Sequence, residues 1–170
     1  MQGSQLISKK TLARMLDLWY FPQDLLRTCL CGLLLAYCAL LLFGTLRPFE
    51  FSLQPFDSSR PHGTIEWIPF SYVCPKCGLD WKNKALNLVM FLPFGFMLES
   101  LRRLRSGTDA LAGVTLWGAS LSILIELTQY FEPARTPSAS DVFMNTLGSL
   151  LGAWAAGRLC RPLKSDRPAS

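Results

Sequence analysis

Five polar side chains lie close together in the sequence, in a stretch that is otherwise strongly apolar. They are Glu126, Gln129, Arg135, Asp141 and Asn145. A guanidinium binds phosphate through paired hydrogen bonds, so Arg135 is a candidate contact for an anionic group. Two carboxylates can act as general acid and base, and Glu126 with Asp141 is the one candidate pair. The alternative to phosphate binding is a packing network in which Arg135 neutralises Glu126 or Asp141, while Asn87, Gln129 and Asn145 bridge helices by hydrogen bonds. One network could do both, and we favour packing over acid–base chemistry.

The segments that carry these residues are apolar enough to lie in a membrane. Hydrophobic residues make up 50% of the 170-residue chain, charged residues 17%, and the mean hydropathy is +0.25. A helix needs about 20 apolar residues to cross a bilayer. Four windows approach that length, roughly 26–46, 85–101, 110–131 and 141–159. We therefore predict an all-α integral membrane bundle of four transmembrane helices.

The chain before the first apolar window has a different pattern. "LISKKTLARMLDLWYF" puts apolar side chains on one side of a helix and mainly cationic ones on the other. We expect residues 1–24 to form a cytoplasmic amphipathic helix on the inner leaflet. A four-helix membrane domain then covers 25–165, with an external loop at 47–83, and a cytoplasmic tail covers 166–170.

The flanking charges predict the orientation. Lys and Arg gather before the first window, in the link that holds Arg102, Arg103 and Arg105, and in the C-terminal tail. Cytoplasmic segments carry such an excess, so both termini should be cytoplasmic. The net charge of +5 belongs largely to these flanks, which favours membrane lipids over nucleic acid as partners.

This topology brings the polar residues to one end of the bundle. The third window runs outward and ends at Glu126 and Gln129, while the fourth begins with Asp141 and Asn145. The second window also begins outside, which places Asn87 near the same depth. The polar faces continue into small residues that allow close helix packing, namely Gly118, Ser122, Gly148 and Gly152. We expect these faces to point toward one another inside the bundle.

The external loop contains a separate pair of cysteines, Cys74 and Cys77, in "CPKCG". Outside the cytoplasm such a pair favours a disulfide or redox pair. A zinc half-site is the alternative, but structural zinc normally needs four ligands. A third possibility is that the pair has no special role. We predict no resident metal and no cofactor.

Several short motifs resemble those of VanZ-like membrane proteins. They are "IEWIPF" (65–70), "NLVMFLPFG" (87–95), "IELTQ" (125–129), "RTPSASD" (135–141) and "NTLGSLLG" (145–152). Their order and spacing make the resemblance specific, and it covers roughly 46–157. The family's characteristic polar positions fall on residues named above: Asn87, Glu126, Gln129, Arg135, Asp141 and Asn145. Ser138 and Ser140 stand where many members carry further acidic residues, which argues against a multi-carboxylate metal site.

The resemblance implies a small multi-pass protein of the bacterial cytoplasmic membrane, in a family named for a member associated with teicoplanin resistance. Three hypotheses follow for the outward-facing polar residues. In the first hypothesis, these residues bind the anionic headgroup of a cell-envelope lipid, or assist a partner that handles one. Alternatively, Glu126 and Asp141 catalyse a reaction on a lipid-linked substrate. In the third hypothesis the protein is a structural or assembly factor.

Overall fold

The computed structural model describes residues 23–52, 65–71, 81–106, 110–133 and 135–160. These ranges contain four helices: α1 (Gln23–Thr45), α2 (Trp81–Ser106), α3 (Leu111–Gln129) and α4 (Ala139–Leu159). The described part contains no strand, so the all-α prediction is confirmed there. The predicted amphipathic segment, the cysteine pair Cys74 and Cys77, and the C-terminal tail lie outside the described residues.

Three of the described helices are long and apolar enough to cross a membrane. They are α1 from Asp24, α2 and α3. At 1.5 Å per residue, the 19 residues of α3 extend about 28 Å and the 26 of α2 about 39 Å, close to or beyond the ~30 Å hydrocarbon core. The fourth helix, α4, has 21 residues but does not belong to this group.

Consecutive helices run in opposite directions. The Tyr37 hydroxyl on α1 donates to the Met90 carbonyl on α2 at 2.7 Å, and the Arg27 guanidinium donates to the Leu104 carbonyl further along α2. On α4, Gly148 lies against Leu88 and Gly152 against Leu92, so α2 and α4 are parallel. The last turns of α1 and α3 therefore meet the first turns of α2 and α4. We call this the network end of the bundle and its opposite the far end.

The α2–α4 pair is the most closely packed part of the bundle, because glycines let the backbones approach. A Cβ on Gly152 would collide with the Leu92 carbonyl, and one on Gly95 with the Ser149 carbonyl. Small residues drive such approach in membranes, where burial of apolar surface contributes little between helices. Gly118, Ser122, Gly148 and Gly152 are all buried, so their predicted inward orientation is confirmed.

An apolar cluster joins α1 and α3 to α2. Its buried members are Leu34, Leu41, Phe91, Phe94, Met97 and Ile125. Most other large apolar side chains of α1 and α3 are exposed on the surface of the bundle, Leu35 and Trp117 among them. In a membrane these outer faces contact lipid, whereas most of the polar side chains described next are buried inside the bundle.

Candidate functional site

A buried lysine lies at the centre of the network end. Lys84, in the first turn of α2, is only 8% exposed. Its Nζ donates to Asp141 Oδ1 at 2.9 Å, to Glu66 Oε2 at 3.2 Å and to Ser138 Oγ at 2.7 Å. One ammonium thus connects α2, the first turn of α4 and the segment 65–71, which belongs to the long α1–α2 link.

The segment 65–71 is fixed mainly through Glu66. The Glu66 N–H donates to the Pro137 carbonyl at 3.1 Å, and the Glu66 carbonyl accepts from the Ala139 N–H at 2.8 Å. The Ser140 hydroxyl donates to Glu66 Oε1 at 2.5 Å, and the Ser138 hydroxyl donates to Oε2. Glu66 therefore docks the link onto the start of α4 with both its backbone and its side chain.

These contacts favour the charged form of Glu66. Burial raises the pKa of the carboxyl, but hydrogen bonds from Ser138, Ser140 and Lys84, together with the charge of Lys84, outweigh it. The pKa of Glu66 consequently lies below its ordinary value. At neutral pH the carboxylate is a charged partner of Lys84.

Glu126 connects α3 to the same point. Its buried carboxylate accepts the Ser138 N–H at 2.7 Å, while Ser138 caps α4 by accepting the Asp141 N–H at 3.3 Å. Serine is a favoured N-cap because its hydroxyl satisfies a helix donor that has no partner within the helix. Glu126 and Asp141 are thus gathered around Ser138, as the sequence predicts for two faces that meet.

Gln129 and Asn145 form bridges between helices. Gln129 Nε2 donates to the Thr45 carbonyl at the end of α1 at 2.8 Å, and Asn145 Nδ2 donates to Ser122 Oγ on α3 at 2.8 Å. Both amides are buried. This is the bridging role expected of them in a packing network. Asn87 lies half-buried on α2, one turn beyond Lys84.

Arg135 does not lie among the carboxylates that are near it in the sequence. Its side chain is exposed, and Nη2 donates to the Arg47 carbonyl at 3.0 Å. Within the described residues it forms no ion pair with Glu126 or Asp141; Lys84 pairs with Asp141 instead. The expected neutralisation by Arg135 is therefore supplied by a lysine on α2, and the guanidinium remains at the surface.

Sequence reasoning missed Lys84 and Glu66 as members of the network. Two signals pointed to them: Lys84 lies three residues before Asn87 on one helix face, and Glu66 lies in the "IEWIPF" motif. Ser138 and Ser140, noted only as departures from an acidic pattern, both bind Glu66. Their hydroxyls suit a carboxylate that arrives from another segment.

The described donor set suits ion pairing better than metal coordination. No group of three His, Cys, Asp or Glu residues with metal-binding geometry occurs in the described ranges. The charges of Glu66 and Asp141 are both directed at the Lys84 ammonium, which supplies the positive charge locally. The arrangement can hold three helices and a link together, and it supports the loop that carries Arg135.

A second polar cluster lies at the far end. Glu99, fully buried on α2, accepts from Arg103 Nε at 2.9 Å, and Arg103 Nη1 donates to the Cys160 carbonyl at 3.4 Å. This ion pair ties the last turns of α2 to the end of α4. This ion pair was not predicted from the sequence, because the arginines of this link were considered only as charges that indicate a cytoplasmic segment.

Comparison with known proteins identifies a family. The model of a protein family described as VanZ/LLP1 matches residues 34–160, three quarters of the chain. No curated protein and no solved structure matches.

Proposed function

The chain belongs to the VanZ/LLP1 family, and from that premise we propose that it is a membrane protein whose network end binds the phosphate of a cell-envelope lipid through Arg135. The observation that carries the proposal is the exposed Arg135 guanidinium, held to the Arg47 carbonyl at the end of apolar helices. The proposal assigns Arg47 a supporting role in the same contact.

The geometry leaves Arg135 available to a ligand. A guanidinium has five N–H donors, and the described hydrogen bond to Arg47 uses one of them. Arg47 lies at the end of α1 with its guanidinium 5.7 Å from the centroid of the Phe43 ring. Two arginines at one rim suit a phosphate, which accepts bidentate hydrogen bonds from each.

The surroundings suit the level of lipid headgroups. Aromatic side chains concentrate at membrane–water interfaces, where their rings are partly apolar and partly hydrated. Exposed aromatic residues surround the network end: Phe43, Phe49, Phe51, Trp67, Trp81 and Phe131. A phosphate held by Arg135 at this depth belongs to a lipid whose chains remain in the bilayer.

The buried cluster is not itself the phosphate site in this proposal. Two carboxylates, Glu66 and Asp141, pair with the single cation Lys84, and the Glu126 carboxyl already accepts the Ser138 N–H. An anion entering the cluster would meet an excess of negative charge. We assign the cluster the task of fixing residues 135–141, and with them the position of Arg135.

We also propose how the protein is oriented and in which membrane it lies. All four helices cross the bacterial cytoplasmic membrane, with the network end outside and both termini in the cytoplasm. A lipid bound there is an envelope lipid of the outer leaflet, which connects the protein to envelope biogenesis or glycopeptide tolerance. α4 crosses as a partner of α2, whose small-residue interface shields much of its surface.

The test is native mass spectrometry of the full chain released gently from its own membrane. We expect a retained phosphate-bearing lipid on the wild type and at least a roughly tenfold weaker adduct on Arg135→Ala, since a charge-assisted hydrogen bond contributes about 1.5–3 kcal/mol. Arg105→Ala is the matched control, because Arg105 is an exposed arginine at the far end. Its adduct should equal that of the wild type.

The alternatives predict other outcomes. Equal adducts on wild type and Arg135→Ala would reject a phosphate contact by Arg135. A structural role predicts that Asp141→Asn reduces abundance, with no lipid specifically retained by any variant. A membrane-embedded enzyme predicts turnover of a lipid-linked substrate that is lost in Glu126→Gln while the protein accumulates normally.

A further inference from the structure

Glu132 is a buried carboxylate that the network does not use. It lies in the link between α3 and α4 and is only 1% exposed. Neither of its carboxylate oxygens has a hydrogen-bond partner among the described residues. A buried carboxylate without donors is costly, so this group needs a donor that the described residues do not provide.

The backbone of the link indicates where Glu132 lies. The Glu132 N–H donates to the Gln129 carbonyl at 2.9 Å, and the Arg135 N–H donates to the Glu132 carbonyl at 3.1 Å. In such tight turns, residues three apart stand above one another. Gln129 reaches the Thr45 carbonyl and Arg135 reaches the Arg47 carbonyl. The middle residue, Glu132, therefore lies between them, over the end of α1.

The chain closes around this position from the other side. The Ser52 N–H donates to the Phe131 carbonyl at 2.8 Å, so the segment 46–52 returns to the α3–α4 link. Glu132 is thus enclosed between two segments, while Arg135 and Arg47 are exposed at their rim. A buried carboxylate and two exposed guanidiniums thus belong to the same two adjoining segments.

Such a pair of sites is complementary to a ligand that carries both charges. The guanidiniums suit a phosphate, and the unpartnered oxygens of Glu132 suit a group with several N–H donors. A primary ammonium has three such donors, and in a phosphoethanolamine headgroup two carbons separate it from the phosphate. A choline headgroup has the positive charge but no N–H, and a glycerol headgroup has no positive charge.

We propose that Glu132 receives the primary ammonium of an aminophospholipid whose phosphate is held by Arg135. This inference rests on the proposed function, because it identifies the class of lipid bound at the same rim. Glu132 is then the residue that selects the headgroup, and Arg135 the residue that supplies most of the affinity.

The experiment is a competition between lipids on the purified full chain in mild detergent. Phosphatidylethanolamine, phosphatidylglycerol and phosphatidylcholine with identical acyl chains are added in equal amounts, and native mass spectrometry measures each adduct. We expect the wild type to bind phosphatidylethanolamine roughly tenfold more strongly than the other two lipids. This ratio corresponds to the free energy of one charge-assisted hydrogen bond. Glu132→Gln should lose this preference and keep phosphatidylglycerol binding. Glu50→Gln, which alters an exposed carboxylate in the facing segment, should match the wild type.

The two proposals fail in different ways. If Arg135→Ala binds all three lipids like the wild type, the phosphate contact is wrong and the ammonium contact with it. If Arg135→Ala loses all three but Glu132→Gln keeps the wild-type preference, only the ammonium contact is wrong, and Glu132 has a structural role alone. A wild type without preference also overturns the inference.

A second measurement needs no substitution, so it holds even if Glu132→Gln fails to fold. Successive N-methylation of phosphatidylethanolamine removes N–H donors while the positive charge stays. The affinity of the wild type should fall with each added methyl group, and the trimethylated lipid should bind roughly tenfold more weakly than phosphatidylethanolamine. Equal binding across the series would contradict a hydrogen-bonded ammonium.

Discussion

Lys84 is the residue on which the buried network depends, because two separate segments place three polar groups on its ammonium. Removing it would leave the Glu66 and Asp141 carboxylates close together with no cation between them. Loss of one partner from a buried ion pair costs about 3–5 kcal/mol. We therefore expect Lys84→Ala to lower the free energy of unfolding by about that amount, measured by denaturant titration in detergent.

Lys82 provides the matched control. It is exposed and lies two residues earlier on the same helix. Lys82→Ala should change stability by no more than about 0.5 kcal/mol, as surface substitutions usually do. Equal effects of the two substitutions would contradict the central role of Lys84.

Glu66 should make this stability depend on pH. Its pKa in the folded protein is lowered, so its contribution is complete above the unfolded value of about 4.3 and is lost as the pH falls through the folded pKa. The wild type should lose stability between about pH 5 and pH 3 more steeply than Glu66→Gln, in which this linkage is absent. Unfolding midpoints measured across that range test the prediction, and Glu50→Gln should keep the wild-type slope.

Some contacts of individual residues could be predicted from the sequence, and others could not. The approach of Glu126 to Asp141 followed from helix faces and topology. The partners of Lys84 did not, because they lie 18 and 57 residues away and one belongs to a link with no periodic pattern. Arg135 was expected among the carboxylates, but the lysine takes that place and the arginine remains at the surface.

At the scale of elements, the close parallel contact of α2 and α4 determines which helix positions tolerate change. A Cβ on Gly152 would collide with the backbone of Leu92 and Phe96, neither of which can move independently of its helix. Gly152→Ala should therefore force the helices apart and cost about 1–3 kcal/mol, as overpacking does. Unfolding in detergent measures this cost.

Gly32 on α1 is the matched control for Gly152. A Cβ there would meet nothing within 4 Å. Gly32→Ala should be neutral or slightly stabilising, since alanine is the better helix former. A comparable loss at both positions would contradict an interhelical clash at Gly152 as the cause.

The helices themselves were largely predictable from apolar runs. α1, α3 and α4 begin and end within three residues of their expected windows. α2 is longer than expected by four residues at its start and five at its end, because its amphipathic ends carry Lys84 and Arg103 into polar contacts. Hydropathy underestimates the length of a helix whose ends are stabilised by ion pairs rather than by contact with lipid.

At the scale of the whole molecule, the bundle has a polar cluster at each end and an apolar surface between them. The network end carries Lys84 and its carboxylates, and the far end carries the Glu99–Arg103 pair. This arrangement suits a protein that spans a bilayer with both ends near water. The proposed crossing of α4 has the least support from hydropathy, and rests instead on the close glycine contacts that join α4 to α2.

The proposed four-span topology predicts which residues react from each side of the membrane. In a cysteine-free background, cysteine replaces two exposed residues at each end of the bundle: Glu50 and Pro133 at the network end, Ser106 and Leu159 at the far end. A membrane-impermeant maleimide should label Glu50→Cys and Pro133→Cys in intact cells. It should reach Ser106→Cys and Leu159→Cys only after permeabilisation. Because Pro133 and Leu159 flank α4, labelling of both from outside would mean that α4 does not cross. The two parallel helices would then lie at different depths, which their contacts along the whole length of the pair oppose.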